Sequence, residues 1–182
     1  GAGCSEVRGS SFGLVMGAVY KVGDEFPMLS QRSMHYFRRI AELVLAPVLA
    51  DDHVHIKRVA TAQAASFVKI AVETYRTGED VIATCKPLLY EFRTYTSRTI
   101  ALVKYHTEVE AYIREALAPA PSRSVRRVDV YREEHQARVI VERGTIAQFL
   151  GRKGMNAAVA SKLTGYGLVL VDEADLGKTA RA

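Results

Sequence analysis

Nowhere in the 182 residues do about 18 apolar side chains run together, so no segment reads as a membrane-spanning helix. The first eleven residues lack a charged segment followed by an apolar one, and no signal peptide is expected. Gly1-Ala2-Gly3, without an initiator methionine, reads as a processed end or a cloning scar. Cysteine is scarce: Cys4 and Cys85 are the only two and lie far apart. That excludes a disulfide scaffold and makes a reducing, cytoplasmic setting the expectation. Of the five histidines only His53-x-His55 would share a strand face. No cysteine pair or His-x-x-His supports a metal, and no cofactor is expected. Gly177-Lys178-Thr179 imitates the end of a P-loop, but Asp172 stands where that motif needs its first glycine. No serine sits in a nucleophile elbow, so the chain is not expected to be an enzyme.

What is present is ordinary globular composition, 48% hydrophobic and 25% charged, with a net charge of +5. A pI near 9.3 suits a polyanionic partner. The charge has a focus in Gly151-Arg152-Lys153-Gly154, two cations between two glycines. Thr145 to Leu150 before it and Met155 to Leu163 after it read as short helices. The second is closed by Gly165 as a left-handed C-cap, and Thr145 with Gln148 fits a capping box for the first. Glycines let two helix ends approach closely, and the N-terminal N–H groups of the second helix then favour an anion. Such a loop is either a solvated turn or a phosphate grip.

Order along the chain supplies context. Phe12 to Tyr20 and Phe26 to Leu29, around a turn at residues 22–25, read as a β-hairpin. Ser33 to Leu45 is a helix with Phe37, Ile40 and Val44 on one face, stopped by Pro47. Strands follow at Val54–Ala60 and Ser66–Glu73. Then come a short helix at Asp80–Lys86 broken by Pro87, a helix at Tyr90–Ser97, and a strand at Ile100–Lys104. The order α-β-β-α-α-β then recurs. There is a helix at Glu108–Leu117 with a capping box from Thr107 and Glu110, and strands at Val125–Arg132 and Gln136–Glu142. The helix–loop–helix around Gly151 and a strand at Leu168–Val171 complete it. Two copies with a period of ~70 residues imply an α+β chain. It divides as hairpin 1–29, units 30–106 and 107–174, and a disordered tail at 175–182.

This order, with Gly-x-x-Gly between two helices, resembles the K-homology (KH) domain of prokaryotic type, a single-strand RNA binder. Val128-Asp129-Val130-Tyr131, Ala137-Arg138-Val139-Ile140-Val141, Leu150 to Asn156 and Ala160 to Tyr166 look like the second KH domain of the NusA family of transcription elongation, termination and antitermination factors. Phe37-Arg38-Arg39-Ile40, Val54 to Ala60 and Val68 to Val72 look like its first KH domain. Phe12 to Ser30 is similar to the end of that family's S1 barrel. The first unit departs from the pattern: its loop reads Pro87-Leu88-Leu89-Tyr90, without either glycine, which makes that unit structural. The family's polymerase-binding domain and most of its S1 barrel are missing, so the chain reads as a fragment or a reduced relative.

The resemblance implies two tandem type II KH domains that bind single-stranded RNA in transcription, with RNA polymerase or other transcription factors as further partners. The alternatives are an RNA-binding factor of ribosome assembly or translation, and a protein-docking scaffold. The RNA-binding candidates are Gly151, Arg152, Lys153, Gly154, Asn156, Lys162 and Ile146. Asn156 is either a helix-start residue or a base-edge contact, Lys162 is surface or contact, and Ile146 is core or groove floor. Arg123, Arg126 and Arg127 form a basic run that either tracks flanking RNA or is a solvated strand edge.

Overall fold

The computed structural model describes residues 19–22 (as backbone), 30–50 and 53–176. Strand β1 is Val19–Val22; the rest of the expected N-terminal hairpin lies outside the described residues. Helix α1, Gln31–Val44, starts at Ser30, whose hydroxyl accepts from the Ser33 N–H at 3.3 Å. It buries Phe37, Ile40, Ala41 and Val44, the 3–4 spacing of an amphipathic helix. After it α2, Ala46–Leu49, begins afresh with Pro47 in its first turn, where a missing N–H costs nothing. The first unit continues with β2 (Val54–Ala60), β3 (Phe67–Thr74), α3 (Val81–Cys85), a 3-10 helix at Lys86–Thr94, and β4 (Thr99–Lys104). The second comprises α4 (Val109–Ala116), β5 (Val125–Tyr131), β6 (Gln136–Val141), α5 (Ile146–Leu150), α6 (Met155–Thr164) and β7 (Gly167–Asp172).

The repeat read from sequence is thus a repeat of topology. In the first sheet β2 and β3 are antiparallel and β3 and β4 parallel; in the second β5 and β6 are antiparallel and β6 and β7 parallel. Each unit's first strand even carries a register shift, between Ile56 and Arg58 and between Val125 and Arg127. Strand β1 adds antiparallel to β7, giving the order β1-β7-β6-β5.

The two units share a core. Strand β3 is buried on both faces. Val68, Ile70 and Val72 pack with Phe37, Ile40, Val81 and Phe92 of their own unit. Ala71, with Ala60, Ala62 and Val103, packs into the cluster holding Ile113, Phe149, Val159 and Leu163 of the second unit. Successive side chains of a strand point to opposite faces, so Val68, Ile70 and Val72 serve the home helices while Phe67, Lys69 and Ala71 face the second unit. Helix α6 lies against that face. Its Ala157, Ala158, Val159 and Ala160 are all buried, as a helix enclosed on every side requires.

Several local expectations are corrected. The short α-helix does end ahead of Pro87, at Cys85, but the chain stays helical: Pro87 lies in the first turn of a 3-10 helix that runs through Leu88, Leu89 and Tyr90 where a second α-helix is expected from Tyr90. Neither capping box forms. Glu108, not Thr107, occupies the N-cap of α4, without a side-chain bond. The Thr145 hydroxyl donates back to the Glu142 carbonyl at 2.7 Å and does not cap α5. A 3-10 turn at Glu173–Asp175, begun by Asp172, whose carboxylate accepts from the Ala174 N–H at 2.8 Å, reaches the first residue of the expected tail. Residues 177–182 lie outside the description.

Candidate nucleic-acid interface

The loop between α5 and α6 turns by backbone conformations that side chains disfavour. Gly151 has φ 72° and ψ −179°, a region open in practice to glycine alone. A Cβ there would lie 2.5 Å from the Asn156 Cβ and 3.1 Å from the Asn156 nitrogen. Gly154 is left-handed at φ 73°, and Lys153 is left-handed too at φ 56°, unusual for a residue with a side chain. The path throws Arg152 and Lys153 outward; both are exposed. Neither side chain forms an ion pair or a side-chain hydrogen bond among the described residues. The N-cap of α6 is Gly154, which has no side chain to cap the helix, and the positive end of the helix dipole lies next to the loop. At its other end Gly165, φ 78°, closes the helix with its N–H on the Ser161 carbonyl at 2.9 Å, as expected.

Beneath the loop is a polar anchor that joins the units. The Asn156 amide donates to the Leu117 carbonyl at 2.8 Å and to the Phe149 carbonyl at 3.0 Å. Its oxygen accepts from the Lys69 ammonium at 2.7 Å. Lys69 reaches across from β3 and has no exposed surface. It also donates to the Ala118 carbonyl at 2.8 Å and to the Ala116 carbonyl. Three acceptors thus meet the three hydrogens of one ammonium. The expectation that Asn156 reads a base edge does not fit this geometry. Its side chain is buried and both amide hydrogens are engaged.

Burial pushes Lys69 down to about 7 from 10.5. Because the folded value lies below the unfolded one, the unfolded chain holds a proton between those limits that the folded chain has released. Unfolding free energy therefore rises with pH across this window, and that gain is lost as pH falls through about 7. The urea midpoint is expected to climb from about pH 6.5 to about pH 8.5, and Lys69→Met is expected to flatten the climb. A midpoint equally pH-dependent in the variant would remove Lys69 as the cause.

The remaining candidates divide. Gly151, Arg152, Lys153 and Asn156 line one cleft of about 720 Å³. Gly154 is buried under the turn. Ile146, half-buried, packs against the core at the start of α5, and Lys162 lies in the last turn of α6; neither lines the cleft. The basic run is largely engaged. Arg126 bonds Glu173 at 3.0 Å and pairs with Glu142 at 3.5 Å, and Arg127 pairs with Asp129 at 2.9 Å. In the first unit the corresponding stretch offers no such loop. The 3-10 helix runs on, and Leu88 and Leu89 lean on the core. No motif in the sequence marks Lys69. Its signal was a lysine between Val68 and Ile70, inside a strand otherwise apolar from Phe67 to Val72.

Residues 109–178 match the family model of the NusA-like second KH domain. The chain is similar to three proteins named transcription termination/antitermination protein NusA. That of Halalkalibacterium halodurans is 28% identical over 153 residues, covering 81% of this chain and 39% of the relative. That of Mycobacterium tuberculosis is 28% identical over 157 residues, covering 84% and 44%. That of Rickettsia prowazekii is 25% identical over 135 residues, covering 70% and 26%. The chain therefore spans less than half the length of each of these relatives. The crystal structure of APE1850 superposes on 80% of this chain and all of its own with a TM-score of 0.51 at 14% identity, a likeness of fold.

Proposed function

We propose, from the premise that this chain carries a NusA-like KH region, that it is a non-enzymatic module binding single-stranded RNA in the regulation of transcription. The two units, 30–106 and 107–174, are read as tandem KH domains of which only the second keeps a phosphate loop. The observation that carries the reading is the loop Gly151–Gly154 itself. Two exposed cations immediately precede a helix whose N-cap is a glycine, on a turn whose Gly151 conformation glycine alone permits. Gripping about four nucleotides of backbone and leaving their bases splayed is the use that KH loops make of this arrangement. Action in elongation, termination or antitermination, with RNA polymerase as partner, belongs to the same proposal and draws on the relatives' names.

Titration with one RNA sequence, single-stranded and as a hairpin stem, at several salt concentrations tests it. The single strand should bind more tightly, because paired A-form RNA hides the base edges. Log affinity should fall against log salt by about 0.7 per phosphate contacted. Equal or tighter binding of the stem, or a salt-independent affinity, would defeat the reading.

A further inference from the structure

The cleft beside the loop is not a groove of the second unit alone. The first unit forms one wall, through Phe67 and Ala101 on adjacent strands; Pro119, Met155 and the loop form the other. None of its lining residues comes from β6 or β7, so it opens away from the second unit's own sheet. The register explains the wall: Phe67 stands beside Thr99 and Lys69 beside Ala101. The walls are mainly apolar, and a volume of about 720 Å³ is that of a small-ligand site. Phe67 is half-buried, its ring packed against the shared core, and the Lys69 ammonium lies 5.9 Å from the ring centroid. Arg152 and Lys153 border the same cleft, and Gln148, exposed on α5, adds an amide that can both donate and accept. An aromatic surface within the same cavity as two phosphate-binding cations is the pairing that unstacked bases require.

We propose that this inter-unit cleft receives an unpaired base of the RNA strand held by Arg152 and Lys153, with Phe67 of the first unit as its stacking surface. The unit that lacks a phosphate loop then takes part in binding by supplying the base contact. The proposal rests on the phosphate grip of the second unit, and its test separates the two.

Affinity for a single-stranded oligonucleotide is measured against salt for the wild type, Phe67→Ala, Ala101→Leu and the double variant Arg152→Asp/Lys153→Asp, each with a melting curve. Phe67→Ala removes the platform; Ala101→Leu narrows the cleft without altering any charge, and serves should Phe67→Ala fail to fold. Each is expected to weaken binding roughly fivefold or more while the salt slope stays that of the wild type, because stacking is lost and phosphate contacts are kept. Affinities within about twofold of wild type in both, with binding lost in the charge-reversed loop, would overturn the cleft assignment and leave the grip standing. Unchanged binding by the charge-reversed loop would overturn the grip and this proposal with it. A free nucleoside monophosphate binding as tightly as the oligonucleotide would make the cleft a small-molecule site and overturn the RNA assignment.

Discussion

Replacing Arg152 and Lys153 together with aspartate is expected to weaken single-stranded RNA binding at least tenfold at moderate salt while leaving the melting temperature nearly unchanged. Both side chains are exposed, and neither bonds a neighbour among the described residues, so the fold loses little with them. The glycines that shape the turn stay. Each charge-assisted contact is worth ~1.5–3 kcal/mol, and the change turns two attractions into two repulsions beside the same phosphates. The loss should shrink as salt rises, since the wild type gives up its own electrostatic advantage there. Full binding by the double variant would mean that the loop is a solvated turn after all.

The second large effect is expected from Asn156→Leu, and it falls on stability. Removing the amide strands the Phe149 carbonyl and one hydrogen of Lys69, and leaves the Leu117 carbonyl only its bond from the Ala120 N–H. Each buried polar group so stranded costs ~1–3 kcal/mol, which places the total at about 3 kcal/mol or more. For a chain of this size that is a fall in melting temperature of roughly 6–12 °C. A direct RNA contact would behave otherwise. If Asn156→Leu melts within about 2 °C of wild type yet binds RNA poorly, the residue reads RNA and the anchor is unimportant.

The sequence showed the repeat and the loop clearly because both rest on local signals: hydrophobic period, turn residues and two glycines around two cations. Helix α1 and strands β2 to β7 lie within a residue or two of where that period puts them. Of the two sequence readings of Asn156, helix-start residue or base-edge contact, the first fits its place in α6, but its role as a buried anchor is one that no local pattern carries. Position 156 follows the loop directly, where an exposed polar side chain would serve RNA, but α6 is enclosed on all sides. What encloses it is the alanine face of the first sheet, more than 50 residues away in the chain. Lys69 was missed for the same reason, since its three acceptors belong to α4, the turn after it and α6. The capping boxes failed because Thr145 found a nearer carbonyl and because α4 begins one residue later than Thr107 would require. The basic run is occupied by Asp129 of the same strand, Glu142 just after β6 and Glu173 of the C-terminal turn.

The central claim is that the second unit's glycine loop, and not the corresponding stretch of the first, holds the RNA backbone. The most direct measurement is an amide NMR titration with a short single-stranded RNA. The account predicts the largest shifts at Gly151, Arg152, Lys153, Gly154 and the first turn of α6, with the amides of Leu88, Leu89 and Tyr90 unmoved. Shifts centred on Leu88 to Tyr90, or spread evenly over the arginines of β5 while the loop stays still, would contradict it.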